Sequence, residues 1–184
     1  MHPLVRRLAS HRIAAQERAL GGVPLDYLRQ LLRVAPGAFL AFARARAFLG
    51  YRGPMPRDAH HVARIAATRA EDCGSCVQIT VHVARAAGVP PAVVRAAALG
   101  RPDELPAPLA AVYRFAVAVT LGDVAAVEAE RAAVHAHVGE AGIAELAVAI
   151  AGARTYPAIK RALGQSVSCE RVRLEFAPTA AATS

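Results

Sequence analysis

Glycine and proline cut this 184-residue chain into segments of helical length, and that punctuation constrains the fold more than any single motif. Segment 4–20 stops at Gly21-Gly22, Pro24 sits where a first-turn proline opens the next segment to Val34, and Pro36-Gly37 interrupts the chain again. Segment 38–49 carries Phe39, Leu40, Phe42, Phe48 and Leu49, a stripe for the core or a partner subunit, and 50–56 forms a loop. Helices are predicted over 56–70, 71–87 and 92–99, with Gly88 as a C-cap and Val89-Pro90-Pro91 forcing a restart. After a Pro-rich acidic loop at 100–106, apolar segment 109–121 ends at Gly122 and Asp123 caps 124–138. Gly139 separates that segment from 143–163, where Pro157 predicts a kink and Gly164 an end.

What lies between the breaks is apolar but small. The chain is 55% hydrophobic with only 5% aromatic residues and no Trp, and alanine dominates, which suits close helix packing. Long β-branched runs with period-two alternation are missing, and the nearest, Val172 to Phe176, reads as an extended tail. The predicted fold is therefore all-α, a compact helical bundle with short connections and mostly antiparallel neighbours. Its organisation is an N-terminal helix over 1–22, a helical domain over 23–164, and a tail over 165–184 that is expected to be disordered beyond Ala177.

A net charge of +8 raises the question of nucleic acid or an anionic membrane, but the cations are arginines scattered singly along helices, with Lys160 the only lysine. Neither partner is expected. The first twenty residues mix Arg, His, Gln and Glu with apolar positions and show no signal-peptide core, so a cytoplasmic location is expected. The most apolar window, 141–153, contains Glu145 and is shorter than the ~20 residues a membrane span needs, and it reads as a buried core helix.

Chemistry concentrates at Cys73-Gly74-Ser75-Cys76. Three residues apart on a helix, the two thiols share a face and lie within reach of a disulfide. At a helix start, unpaired N–H groups and the dipole stabilise a thiolate, which favours Cys73 as the more acidic thiol. Glu71 and Asp72 oppose this by charge, although a carboxylate beside the pair can also accept a thiol proton.

The stretch Arg69-Ala70-Glu71-Asp72-Cys73-Gly74-Ser75-Cys76-Val77-Gln78 resembles the cysteine motif of the alkylhydroperoxidase D/carboxymuconolactone decarboxylase-like superfamily, and the order of helices from about residue 25 to Gly164 is similar too. That resemblance implies an all-helical, oligomeric protein that reduces peroxides without a cofactor or metal, using an external thiol or dithiol reductant. It makes Cys76 the peroxide-attacking residue and Cys73 the resolving one. The pattern departs at two places. Thr80 stands where the peroxidase branch has a His one turn beyond the second cysteine, and His61 stands where it has a Glu. Either His61 and Glu71 have taken over the proton relay, or peroxidase activity has been lost while the fold remains.

Other histidines fit the pair poorly. His82, six residues after Cys76, projects away from the cysteine face, and His135 and His137 cannot both face one site. Gln78 lies off that face, where it could bond a neighbouring helix or subunit, and Cys169 is a bystander in the tail. Alternatives to a peroxidase are a zinc site of Cys73, Cys76, His60 and His61, which requires two adjacent histidines to converge, and a non-catalytic helical oligomer or small-molecule-binding protein.

Overall fold

A computed structural model describes residues 3–165; Cys169, the extended segment 172–176 and the rest of the tail lie outside the described residues. Within them the chain is all-α, with no strand. The helices are α1 (Pro3–Ala19), α2 (Asp26–Val34), α3 (Pro36–Arg44), α4 (Arg46–Leu49), α5 (Arg57–Ala70), α6 (Gly74–Ala86), α7 (Pro91–Leu99), α8 (Ala107–Leu121) and α9 (Val124–Ala162), with one 3₁₀ turn at Pro102–Glu104.

Proline and glycine act at the ends as their chemistry dictates. Pro36 and Pro91 open α3 and α7 from the first turn, where a missing N–H costs nothing, while Gly100 and Gly122 close α7 and α8 in left-handed conformations. Asp123 caps α9 by accepting a hydrogen bond from the Ala126 N–H at 3.0 Å. Three boundaries differ from the sequence expectation. Segment 38–49 is divided at Ala45 into α3 and α4. Helix α6 begins at Gly74 instead of Glu71, because residues 71–73 are spent reversing the chain after α5. And α9 runs through Pro157 with its only non-helical backbone at Gly139, whose φ of 70° and ψ of 178° are open to glycine, so the bend comes at the glycine and not at the proline.

Two apolar clusters organise the helices. The larger joins α5 to α9: Val62, Ala63, Ile65, Ala66 and Ala67 of α5 are almost completely buried against Val112 and Phe115 of α8 and Leu146 and Ile150 of α9. Alanines on α5 let its neighbours approach closely, so this helix is enclosed on nearly every side. The expected core segment 141–153 is there, presenting Ile143, Leu146, Ile150 and Ala153 inward. By length and hydropathy α9 would also suffice to cross a membrane, although its apolar face is occupied by α5 and α8.

The smaller cluster gathers Ile13 and Leu20 of α1, Tyr27, Leu28 and Leu32 of α2 and Phe39 of α3, with Ile79 of α6 and Tyr156 of α9 against it. From the stripe on 38–49, Phe39 and Leu49 are buried while Leu40 and Phe48 stay exposed. Helix α1 is tied down at its end: Glu17 pairs with Arg29 and accepts from the Leu25 N–H at 2.8 Å, and Gly21 lies flat against the His82 ring, where any side chain would collide. Between the two clusters a cleft remains open.

Candidate functional site

The cleft, about 580 Å³, runs between α1–α3 on one side and α5–α6 on the other. Helical periodicity builds its inner wall. On α5, His61, Arg64 and Thr68 fall at i, i+3 and i+7, and on α6, Cys76, Ile79, Thr80 and Val83 fall at i, i+3, i+4 and i+7, so each set shares a face. Tyr156 of α9 joins them, and the opposite wall is predominantly apolar, with Arg12 and Gln16 of α1 as its polar members.

The turn that delivers the cysteines is clamped. Glu71 ends α5, and its carboxylate accepts from Arg154 Nε at 2.8 Å and Arg161 Nη2 at 3.0 Å, both on α9, while Arg161 also reaches the Glu71 carbonyl at 2.8 Å. Burial pushes the Glu71 carboxyl up, but the two guanidinium groups outweigh it and hold the group below the usual carboxylate range. Asp72 then takes a φ of 48°, a left-handed conformation that Asp tolerates better than most residues. The reversal leaves Cys73 as the N-cap of α6 and Cys76 in its first turn, where the Cys76 N–H bonds to the Cys73 carbonyl at 2.9 Å. It is therefore Cys76, not Cys73, that occupies the helix's first turn.

The two sulfurs lie at disulfide distance, with Cα atoms 5.2 Å apart. Both cysteines are buried, but Cys76 lines the cleft and Cys73 lies behind it. Behind Cys73 is an arrangement that sequence reasoning missed. The Cys73 sulfur is 3.8 Å from Ser75 Oγ, which accepts a hydrogen bond from Lys160 Nζ at 2.9 Å. Lys160 is only 3% exposed and sits 5.1 Å over the Tyr27 ring, and burial lowers its pKa to about 8. One signal could have found it: a single lysine in a chain that otherwise uses arginine, and lysine is the cation that gives up its proton when buried.

The four residues singled out from sequence divide into two groups. His61, Cys76 and, behind it, Cys73 come together at the cleft; Glu71 faces Arg154 and Arg161 and is not part of the cleft wall. Thr80 also lines the cleft, but its hydroxyl is directed at the Cys76 and Val77 carbonyls, 3.2 and 2.9 Å away, and meets Thr68 Oγ1 at 3.3 Å. It ties α5 to α6. His60 and His61 are both buried, with rings 5.0 Å apart and edge to face. Burial, reinforced by the nearby Arg64 charge, lowers His60 to about 3 and His61 to about 4, so both imidazoles are neutral near pH 7.

Among the described residues no group of three or more His, Cys, Asp and Glu side chains is arranged to hold a metal ion, so the zinc alternative gains no geometry. His82 bonds Gln78 one turn back at 3.1 Å and packs under Gly21, which keeps Gln78 within its own helix instead of reaching a neighbour. His135 is exposed beside Glu140, whereas His137 is half-buried. Arg64 was passed over because nothing distinguishes it in sequence from the other arginines. Neither protein-family models, curated proteins nor solved structures return a match to this chain.

The neutral histidines give stability a characteristic pH dependence. Their folded pKa values lie below the ordinary 6.5, so as pH falls below about 6.5 the unfolded chain takes up protons that the folded chain refuses. Stability should drop by roughly 2 kcal/mol between pH 6.5 and 5.5, above the range where carboxylates titrate. His61→Gln should about halve that slope in denaturant titrations; an unchanged slope would mean the imidazoles are already charged or solvated in the fold.

Proposed function

We propose that this chain is a thiol-dependent peroxidase or disulfide oxidoreductase of the alkylhydroperoxidase D-like kind, acting through Cys76 and Cys73. The observation that carries this reading is the placement of Cys76 on the wall of an open cleft with Cys73 at disulfide distance behind it.

The chemistry runs in two balanced steps. The Cys76 thiolate attacks the distal oxygen of a hydroperoxide, the O–O bond breaks, and the alkoxide leaves as an alcohol after taking a proton; Cys76 is oxidised to a sulfenic acid. Cys73 then attacks that sulfur, hydroxide leaves as water with the Cys73 proton, and the disulfide forms. An external thiol or dithiol returns both cysteines to the reduced form.

Each neighbour has a part in this scheme. First-turn N–H groups of α6 favour a Cys76 thiolate, and the Arg64 guanidinium adds positive charge to the same cleft. His61, neutral and on the same wall, is placed to carry a proton to the leaving alkoxide. Glu71 contributes by holding the turn, a role its two arginine partners support better than that of a base. Lys160, through Ser75, stabilises negative charge on Cys73. Exposed apolar side chains on α1, α3 and α4, among them Leu4, Leu8, Leu40 and Phe48, offer contact surface for the homo-oligomer that the family resemblance implies.

The test is turnover of reduced protein with hydrogen peroxide and cumene hydroperoxide. Cys76→Ser should abolish peroxide consumption, and Cys73→Ser should halt at a Cys76 sulfenic acid that dimedone traps. No consumption by the native chain, or a bridge that mass mapping assigns to Cys169, would overturn the reading. Lys160→Met should slow closure of the disulfide roughly tenfold below pH 8, the loss of one charge-assisted hydrogen bond. It should also remove an inflection near pH 8 that the native chain shows as Lys160 loses its proton. A variant with native rate and inflection would show that Lys160 does not act on Cys73.

A further inference from the structure

The cleft holds a positive charge that no carboxylate on its wall answers. Arg64 is mostly buried, yet among the described residues no carboxylate comes within ion-pair distance of it; Nη1 donates to the Leu49 carbonyl at 2.8 Å, and Tyr156, His60 and His61 lie close enough to feel its charge. Its guanidinium carries five N–H donors and stays charged, and a buried charge is costly unless an opposite charge meets it. Among the other half-buried arginines, Arg154 is answered by Glu71 and Arg131 by Glu140, while Arg69 donates to the Ala98 carbonyl at 3.0 Å.

Other groups on the cleft wall sharpen the contrast. No Asp or Glu lines it, His61 is neutral, and the second cation, Arg12, is exposed on α1. The rest is predominantly apolar, with Ile13, Leu28, Phe39, Phe42, Ile79 and Val83 contributed by four helices. Its shape is elongated: the α1 side extends from Val5 to Leu20, about 22 Å of helix axis, whereas a sphere of its volume would be only about 10 Å across. A volume of about 580 Å³ falls in the range of sites that take small organic ligands.

We propose that this cleft binds a single-chain anionic amphiphile, a medium-chain alkyl carboxylate, with its head group on Arg64 and its chain along the apolar wall between α1–α3 and α6. A planar bidentate donor suits a carboxylate, and a low-dielectric surround strengthens the pair. Arg64 is the specificity-determining residue, selecting for charge, while the apolar wall supplies affinity without regard to head group. The site is independent of the peroxidase reading, since it requires no reactive thiol.

Isothermal titration of the full-length protein in its disulfide form, at pH 7.5, separates the two claims because thiol chemistry is silent there. Decanoate, decan-1-ol and decyltrimethylammonium share a chain and differ in charge. Native protein should bind decanoate at least tenfold more tightly than decan-1-ol, with the cation weakest. Arg64→Met should keep decan-1-ol binding and lose the preference for decanoate, and Arg64→Lys should restore part of it. Equal affinity of native protein for decanoate and decan-1-ol, or no binding of either, would overturn the proposal even if the Arg64 variants failed to fold. A preference that survives Arg64→Met but vanishes in Arg12→Gln would overturn the assignment to Arg64.

Discussion

Everything in this molecule rests on the close packing of α5. Its alanines and Val62 and Ile65 disappear into the larger core against α8 and α9, where small side chains bring the helix axes near one another. The same helix turns His61, Arg64 and Thr68 the other way, into the cleft. One helix thus serves as the centre of the core and the floor of the candidate site. A larger residue on its core face would displace the cleft wall as well, because the two faces are less than one helix diameter apart.

From α5 the chain must reverse to deliver the cysteines, and the Glu71 clamp fixes how it does so. Arg154 and Arg161 reach from α9 across more than eighty residues of sequence to hold a turn of three. That contact positions Cys76 in the first turn of α6 and facing the cleft, with Cys73 behind it near Ser75 and Lys160. The surroundings of the two sulfurs consequently differ: Cys76 shares the cleft wall with Arg64, whereas Cys73 lies beside a hydroxyl that accepts from Lys160. Such a difference suits a pair in which one thiol attacks and the other resolves.

The helices were legible in the sequence because Gly and Pro report backbone geometry directly: Gly139 broke α9 where its missing side chain allows φ of 70°, and Asp123 capped it. Pro157 misled, since a helix supported by tertiary packing on both sides carries a proline without leaving helical backbone angles. Among site residues, the cysteine pair is legible by its spacing and His61 only through the resemblance to the peroxidase motif. Glu71 was recognised as important but cast as a base, because its partners Arg154 and Arg161 are remote in sequence and only folding brings them to it. Arg64 is not distinguishable for a similar reason: what sets it apart is burial, a property of the tertiary structure, whereas Lys160 leaves one trace in sequence as the single lysine.

The central claim is that the two thiols are unequal, with Cys76 open to the cleft and Cys73 sheltered behind it. Alkylation of the fully reduced protein with limiting iodoacetamide, followed over time by peptide mass spectrometry, measures that inequality directly. Cys76 should be modified first, by at least about tenfold in rate near pH 7, in keeping with its access and its helix-start position. Preferential modification of Cys73, or equal rates at both sulfurs, would contradict the account.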